Sequence, residues 1–266
     1  MASFFTHHLV ATSVLNALPP TISKRVSLRA SLYFFGSQGA DFCFFCPLIN
    51  GMKKPINFGS YLHKYGGFSA FSVCKLFSSS DESLLAYSLG FITHYATDIN
   101  FHPFVYATAG KSYLRHARIE RAIDLFLAKT VPFSPSFPIV DIKKISKADK
   151  QTLFLLYATI AHACRLPALK KTDFFRAFSL FNAYLPRSSS LLNDKNTTLI
   201  NNLANTQNAE WSNPALPSRK SRDGAKELFD KAVKDSLQAI NVFLRAIEEK
   251  TPLPFSVFGK NYLTGL

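Results

Sequence analysis

One stretch of this chain restricts its fold more than any other: His94-Tyr-Ala-Thr-Asp98-Ile-Asn-Phe-His102-Pro103. His94, Asp98 and His102 recur every four residues, and residues four apart stand one above another on a helix face. A second column follows at the same spacing: His116, Glu120 and Asp124. Polar groups embedded in apolar helices are costly to bury unless they are paired or bound. Six metal-competent side chains within 31 residues therefore predict the wall of a metal cluster.

The rest of the polar inventory agrees. Six of the seven histidines precede residue 117, and the first 130 residues hold only six carboxylates: Asp41, Asp81, Glu82, Asp98, Glu120 and Asp124. Mixed histidine and carboxylate ligands with little cysteine suit zinc, with manganese or iron as alternatives. Zinc lowers the pKa of bound water to about 7 and supplies hydroxide at neutral pH. Several such ions a few Å apart hold both the attacking and the leaving oxygen of a phosphate diester. Asp98, on the middle rung, is the natural bridge between two of them. Two isolated histidines read more simply as hydrogen-bonded core residues, His8 and His162. Asp124 is expected to orient a ligating histidine or to pair with Arg121 or Lys129 at the surface.

Helical periodicity runs through the chain and strand-like alternation is scarce. Helices are expected over 6–18, with Thr6 as N-cap, and over 24–35, 59–77 and 82–99, the last capped by Asp81 or Ser80. The loop Gly36-Ser-Gln-Gly-Ala-Asp41 suits a tight turn that presents a carboxylate. Pro103 predicts a break or kink. Further helices are expected over 112–128, 146–165 and 172–184. Residues 193–217 read as a long loop with some helix, and 221–249 as an amphipathic helix with one apolar stripe. The fold class expected is all-α: one helical domain over 1–266, with the metal-competent residues in 1–125 and a helical remainder over 140–250.

Hydrophobic residues make up 47% of the 266, enough for a sizeable core. The net charge of +14 favours anionic partners such as phosphate esters, nucleic acid or anionic lipid surfaces. The basic residues are dispersed, so Lys143-Lys144 and Arg219-Lys220 read as solvated faces. Cys43-Phe-Phe-Cys46 lacks the second pair that a zinc ribbon needs, and buried free thiols are expected. The start of the chain carries no basic, apolar leader and no apolar run reaches membrane-spanning length, so a cytoplasmic monomer is expected.

The order Thr6-His7, Gln38-Gly-Ala-Asp41, His63, His94-x-x-x-Asp98-x-x-x-His102-Pro103 and His116-x-x-x-Glu120 resembles the zinc-dependent phospholipase C family. Glu210-Trp211-Ser-Asn-Pro214 is similar to a downstream element of that family. The resemblance implies an all-α bundle around a cluster of two or three zinc ions. It implies Asp41, His63, His94 and Asp98 on one ion, His102, His116 and Glu120 on a second, and His7 with bridging Asp98 on a third. It also implies that Asp41 orients or deprotonates the attacking water. Secreted members complete their third site with an N-terminal Trp. Here the only Trp is Trp211, and six residues precede His7.

The implied function is a zinc-dependent phosphodiesterase acting on a phospholipid or similar phosphate ester, with transient contact to a membrane surface. A single-strand nuclease and a non-catalytic, metal-stabilised interaction protein are the alternatives.

Overall fold

The computed structural model describes residues 4–46, 58–131, 144–184 and 197–266. Helices dominate, and the architecture is all-α with one small hairpin. Its axis is α6, Glu82–Ala109, taking the helices in chain order. Asp81 caps it, accepting from the backbone N–H groups of Ser83 at 2.8 Å and Leu84 at 3.1 Å.

Around α6 stand α1 (Phe4–Ala17), α3 (Ala30–Gly36), α5 (Gly67–Ser78), α7 (Tyr113–Thr130) and the long α11 (Ala225–Glu248). α3 approaches α6 through glycines. A Cβ on Gly36 would overlap the carbonyl of Tyr87, and one on Gly90 would overlap that of Tyr33. The helix pair therefore packs closer than any side chain would allow. Outside this ring lie α2 (Pro20–Ser27), α4 (Phe58–Tyr61), which leads through one π turn into α5, α8 (Lys147–Ala163), α9 (Lys171–Tyr184), α10 (Thr197–Leu203) and α12 (Phe255–Phe258). Among the described residues no helix is long and apolar enough to cross a membrane.

Several local expectations need correction. Pro103 does not interrupt α6, which runs on to Ala109. Proline cannot donate to the carbonyl of Ile99, and the C-terminal segment packs there instead, with Gly265 so close that a Cβ would overlap that oxygen. The segment expected as one helix over 24–35 is two, α2 and α3. Thr6 is not an N-cap but lies inside α1, which starts at Phe4.

Asp124, expected to serve a histidine or a surface pair, is buried and turned to α1. It accepts 2.7 Å hydrogen bonds from the backbone N–H and the hydroxyl of Thr6, so it supplies α1 with a partner for an orphan N–H from 118 residues away. His162 is exposed in the last turn of α8 rather than core.

The stretch expected as loop contains a hairpin. β1 (Trp211–Asn213) pairs antiparallel with β2 (Leu216–Ser221), and Asn213 closes the turn by accepting from the Ala215 N–H at 2.9 Å. Residues 193–196 of that stretch lie outside the described residues. α11 starts at Ala225 rather than near 221, where the Gly224 N–H donates to Glu227 at 3.0 Å. Its apolar stripe, from Ala225 through Leu228, Phe229, Ala232 and Ile240 to Phe243, is buried. The thiols of Cys43, Cys46 and Cys74 are free and buried, and Cys164 is free and half-buried.

Candidate metal centre

All eight histidine and carboxylate residues singled out above come together between α1, α6 and α7, although they lie on five separate segments. His94, Asp98 and His102 line one face of α6, and His116 and Glu120 one face of α7. His7 comes from α1, Asp41 opens a 3₁₀ turn (Asp41–Phe45), and His63 sits in the π turn before α5. Each is buried, with exposures from 0% at His94 to 8% at His116.

The spacings are informative. Asp98 is the hub: its Oδ1 lies 3.4 Å from His7 Nε2 and 3.6 Å from His102 Nδ1, and its Oδ2 lies 3.3 Å from both His63 Nε2 and His94 Nε2. His63 Nε2 is also 3.2 Å from Asp41 Oδ1. Glu120 Oε1 is 2.9 Å from His116 Nε2 and 3.7 Å from His102 Nε2. Three groups have all their donor atoms within 4.8 Å of one another: His7, Asp41 and His94; His63, His94 and Asp98; His102, His116 and Glu120. His7 thus faces the Asp41–His94 pair as well as Asp98, a wider reach than the expected sharing with Asp98 alone.

These donor sets fit metal ions on two independent observations. First, Zn–N bonds near 2.05 Å at tetrahedral angles put neighbouring ligand atoms about 3.3–3.4 Å apart. Most of the separations above fall around that value rather than at ordinary hydrogen-bond length. Second, both oxygens of Asp41, Oδ2 of Asp98, both ring nitrogens of His94 and Nδ1 of His7 are buried with no hydrogen-bond partner among the described residues. Native interiors rarely leave so many polar atoms unpaired in one place.

Backbone carbonyls set the ring orientations. The Gly59 carbonyl lies 2.8 Å from His63 Nδ1, which leaves Nε2 facing the carboxylates. The Tyr262 carbonyl lies 3.1 Å from His102 Nδ1, which turns Nε2 toward Glu120. Partners of this kind fix the tautomer and aim the ligating nitrogen. The Gln38-Gly-Ala-Asp41 turn also has a local explanation. Gly39 has φ +54°, and a Cβ there would overlap the His94 ring, so only glycine lets the chain cross that ring and deliver Asp41. Gln38 donates to the Phe4 carbonyl at 3.3 Å, tying this turn to the start of α1.

The charges of the metal-free cluster divide unevenly. Burial alone would lower His63, but Asp41 and Asp98 against it push it up to about 10. Burial dominates at His94 and pushes it down to about 3. Burial would raise Asp98, but the charges of His94 and His102 and the contacts of His63 and His7 hold it well below the ordinary carboxylate range. Asp41 and Glu120 are lowered too, burial at each being outweighed by histidines: His63 and His94 at Asp41, His102 and His116 at Glu120. A cavity of about 20 Å³, room for roughly one water, is lined by His7, Asp98, His102 and Glu120 together with Phe101, Val105 and Ile123.

Some contributors carried no advance signal in the sequence. Tyr262 is buried, with its ring 5.1 Å from that of His63, and its backbone carbonyl steers His102. Nothing within the eighteen residues after α11 marks it out. Tyr106 packs edge-on against His116 at 4.8 Å, and its place one turn beyond His102 on α6 was a readable hint.

No curated protein and no solved structure matches the chain. The sequence profile for zinc-dependent phospholipase C, however, matches residues 6–173, a segment that includes all eight clustered residues. The match covers well over half of the 266 residues, and the chain belongs to the zinc-dependent phospholipase C family.

Proposed function

We propose that the chain is a single-domain, monomeric phosphodiesterase that binds two or three zinc ions through His7, Asp41, His63, His94, Asp98, His102, His116 and Glu120 and hydrolyses a phospholipid or similar phosphate ester. The observation that carries this reading is the convergence of eight buried donors at metal-ligand spacing with several of their atoms otherwise unpaired. Zinc, when bound, lowers the pKa of a water to about 7 and so supplies a nucleophile at neutral pH.

The chain's own residues do the rest. Asp98 holds four histidine rings in one arrangement through its two oxygens. Asp41 accepts the proton of the attacking water, as its family counterpart is expected to do; Glu120 is the competing acceptor, because it lines the cavity where a water fits. Phe101, Val105 and Ile123 shield that cavity, which strengthens the electrostatic interactions inside it.

The direct test is metal content together with turnover. Purified protein is expected to carry two or three zinc equivalents and to hydrolyse a chromogenic phosphocholine ester, with single-stranded DNA assayed beside it. His94→Ala is expected to lose both metal and activity. Zinc-free protein that turns over, or an unaffected His94→Ala, would remove the proposal. Turnover of DNA alone would move it to a nuclease, and metal binding without turnover of either would leave a metal-stabilised interaction protein. Comparing pH–rate profiles of Asp41→Asn and Glu120→Gln assigns the proton acceptor.

A further inference from the structure

The eight donors are not equally hidden. His7, Asp41, His63, His94 and Asp98 are 0–2% exposed, whereas Glu120, His102 and His116 reach 5–8%. The cluster therefore opens on the His102–His116–Glu120 side, where α6 ends and α7 begins.

That opening has an unusual rim. Tyr113 lies three residues before His116 and seven before Glu120, so the three form one stripe on α7 with Tyr113 at its outer end. Tyr113 is 65% exposed and its neighbour Leu114 is 71% exposed. Among the described residues, the other large apolar side chains exposed this far, Leu28, Tyr65, Leu76 and Phe255, each stand alone in the sequence. Around the pair lie exposed Lys111, Arg115 and Arg118, none in an ion pair among the described residues. From Ile99 to Ile119 the chain has no Asp or Glu. Ser112 fixes the geometry, capping α7 by accepting from the Arg115 N–H at 3.3 Å.

We propose that the α6–α7 turn and the start of α7, residues 110–118, form the surface by which the protein docks on an anionic phospholipid bilayer, with Tyr113 and Leu114 entering the interface and Lys111, Arg115 and Arg118 facing the headgroups. This rests on the phospholipid reading of the same site and adds where and how the membrane is met. The chemistry is that of interfacial segments in general. Aromatic and aliphatic side chains partition into the headgroup boundary, and each Lys or Arg near an anionic leaflet adds roughly a fivefold gain in binding. The position is what links docking to turnover: the membrane would lie against the open end of the cluster, one helical turn from His116.

The test is cosedimentation of the full-length protein with phosphatidylcholine vesicles, with and without phosphatidylserine, alongside hydrolysis of a soluble, monomeric phosphocholine ester. Wild type is expected to bind the phosphatidylserine-containing vesicles more tightly. Tyr113→Ser/Leu114→Ser should bind them about tenfold more weakly, and Lys111→Glu/Arg118→Glu about thirtyfold or more. Both variants should keep wild-type turnover of the soluble ester, which also verifies their folding. Wild type that ignores anionic vesicles, variants that bind like wild type, or single-stranded DNA that displaces the protein from vesicles with no dependence on Tyr113 and Leu114 would each overturn the inference. Failure of the soluble ester to turn over bears on the phosphodiesterase reading alone. The sedimentation result still decides the docking surface, with circular dichroism then reporting the folding of the variants.

Discussion

The helices α6 and α11, of 28 and 24 residues, pack against each other but keep opposite rules. α11 is amphipathic in the ordinary way: its apolar stripe is buried, and Lys226, Asp230, Lys231 and Lys234 face solvent. α6 is buried almost all round and encloses His94, Asp98 and His102 along with its apolar residues. Helix α11 is stabilised by what it hides. In α6, part of what is hidden is destabilising unless something holds it, and that difference marks the helix that carries the candidate centre.

The comparison breaks most sharply at Asp98. Asp98→Ala removes the carboxylate that faces four histidines. It is expected to cost roughly 3–5 kcal/mol and to abolish zinc retention and turnover. Denaturant unfolding and elemental analysis check this, and a variant with wild-type zinc content would remove Asp98 from the centre.

Metal removal comes next. A ligand at about 1,000 times its Kd adds about 4 kcal/mol, so chelation should lower the melting temperature by roughly 10 °C for a chain of this size. Amide exchange should rise along α6 and α7 before it rises along α11. Uniform exchange across all three would mean that the centre does not support α6.

The metal-free protein should also respond to pH in a defined direction. His63 is raised from 6.5 to about 10, so its contribution is fully present below pH 6.5 and is lost as pH climbs through about 10. Asp98 is lowered from 3.8, so its contribution is present above that value and is lost in acid. With His63 a zinc ligand as proposed, zinc competes with its proton, so the zinc-loaded protein should gain stability over the range where the metal-free protein loses it. Melting curves from pH 6 to 10 with and without chelator would reveal parallel trends if His63 is not a ligand.

Gly39→Ala sharpens the comparison more gently. A Cβ there meets the His94 ring at a backbone angle that favours glycine. A loss of about 1–3 kcal/mol is expected, with reduced zinc content, both measurable on one preparation. The smallest effect belongs to α11: Lys226→Ala breaks an exposed pair with Asp230 and should change stability by no more than about 0.5 kcal/mol. A larger loss would show that the outer face of α11 is not merely solvated.

Much of this organisation was legible in the sequence. The four-residue spacing placed three donors on one face of α6 and two on α7, because helical geometry is local. The stripe of α11 was equally plain. The misreadings share a cause: they fell where distant chain segments decide the outcome. Pro103 signals a break by its own chemistry, but the C-terminal segment at Gly265 packs against the carbonyl it leaves unbonded. Asp124 continues the column of His116 and Glu120 in register, yet it is turned to Thr6 at the start of α1. The hairpin at 211–221 carries too little apolar alternation to announce itself.

The sequence by itself determined the all-α class, the two columns of donors and the choice of metal-competent groups, since periodicity and side-chain chemistry are properties of a few neighbouring residues. Only the tertiary structure decided which donors come together, how Tyr262 aims His102, and on which side the cluster opens. Those depend on where α1, the Asp41 turn, the π turn and the C-terminal segment meet around α6. Contacts between residues tens to more than a hundred positions apart leave no periodic trace in the chain.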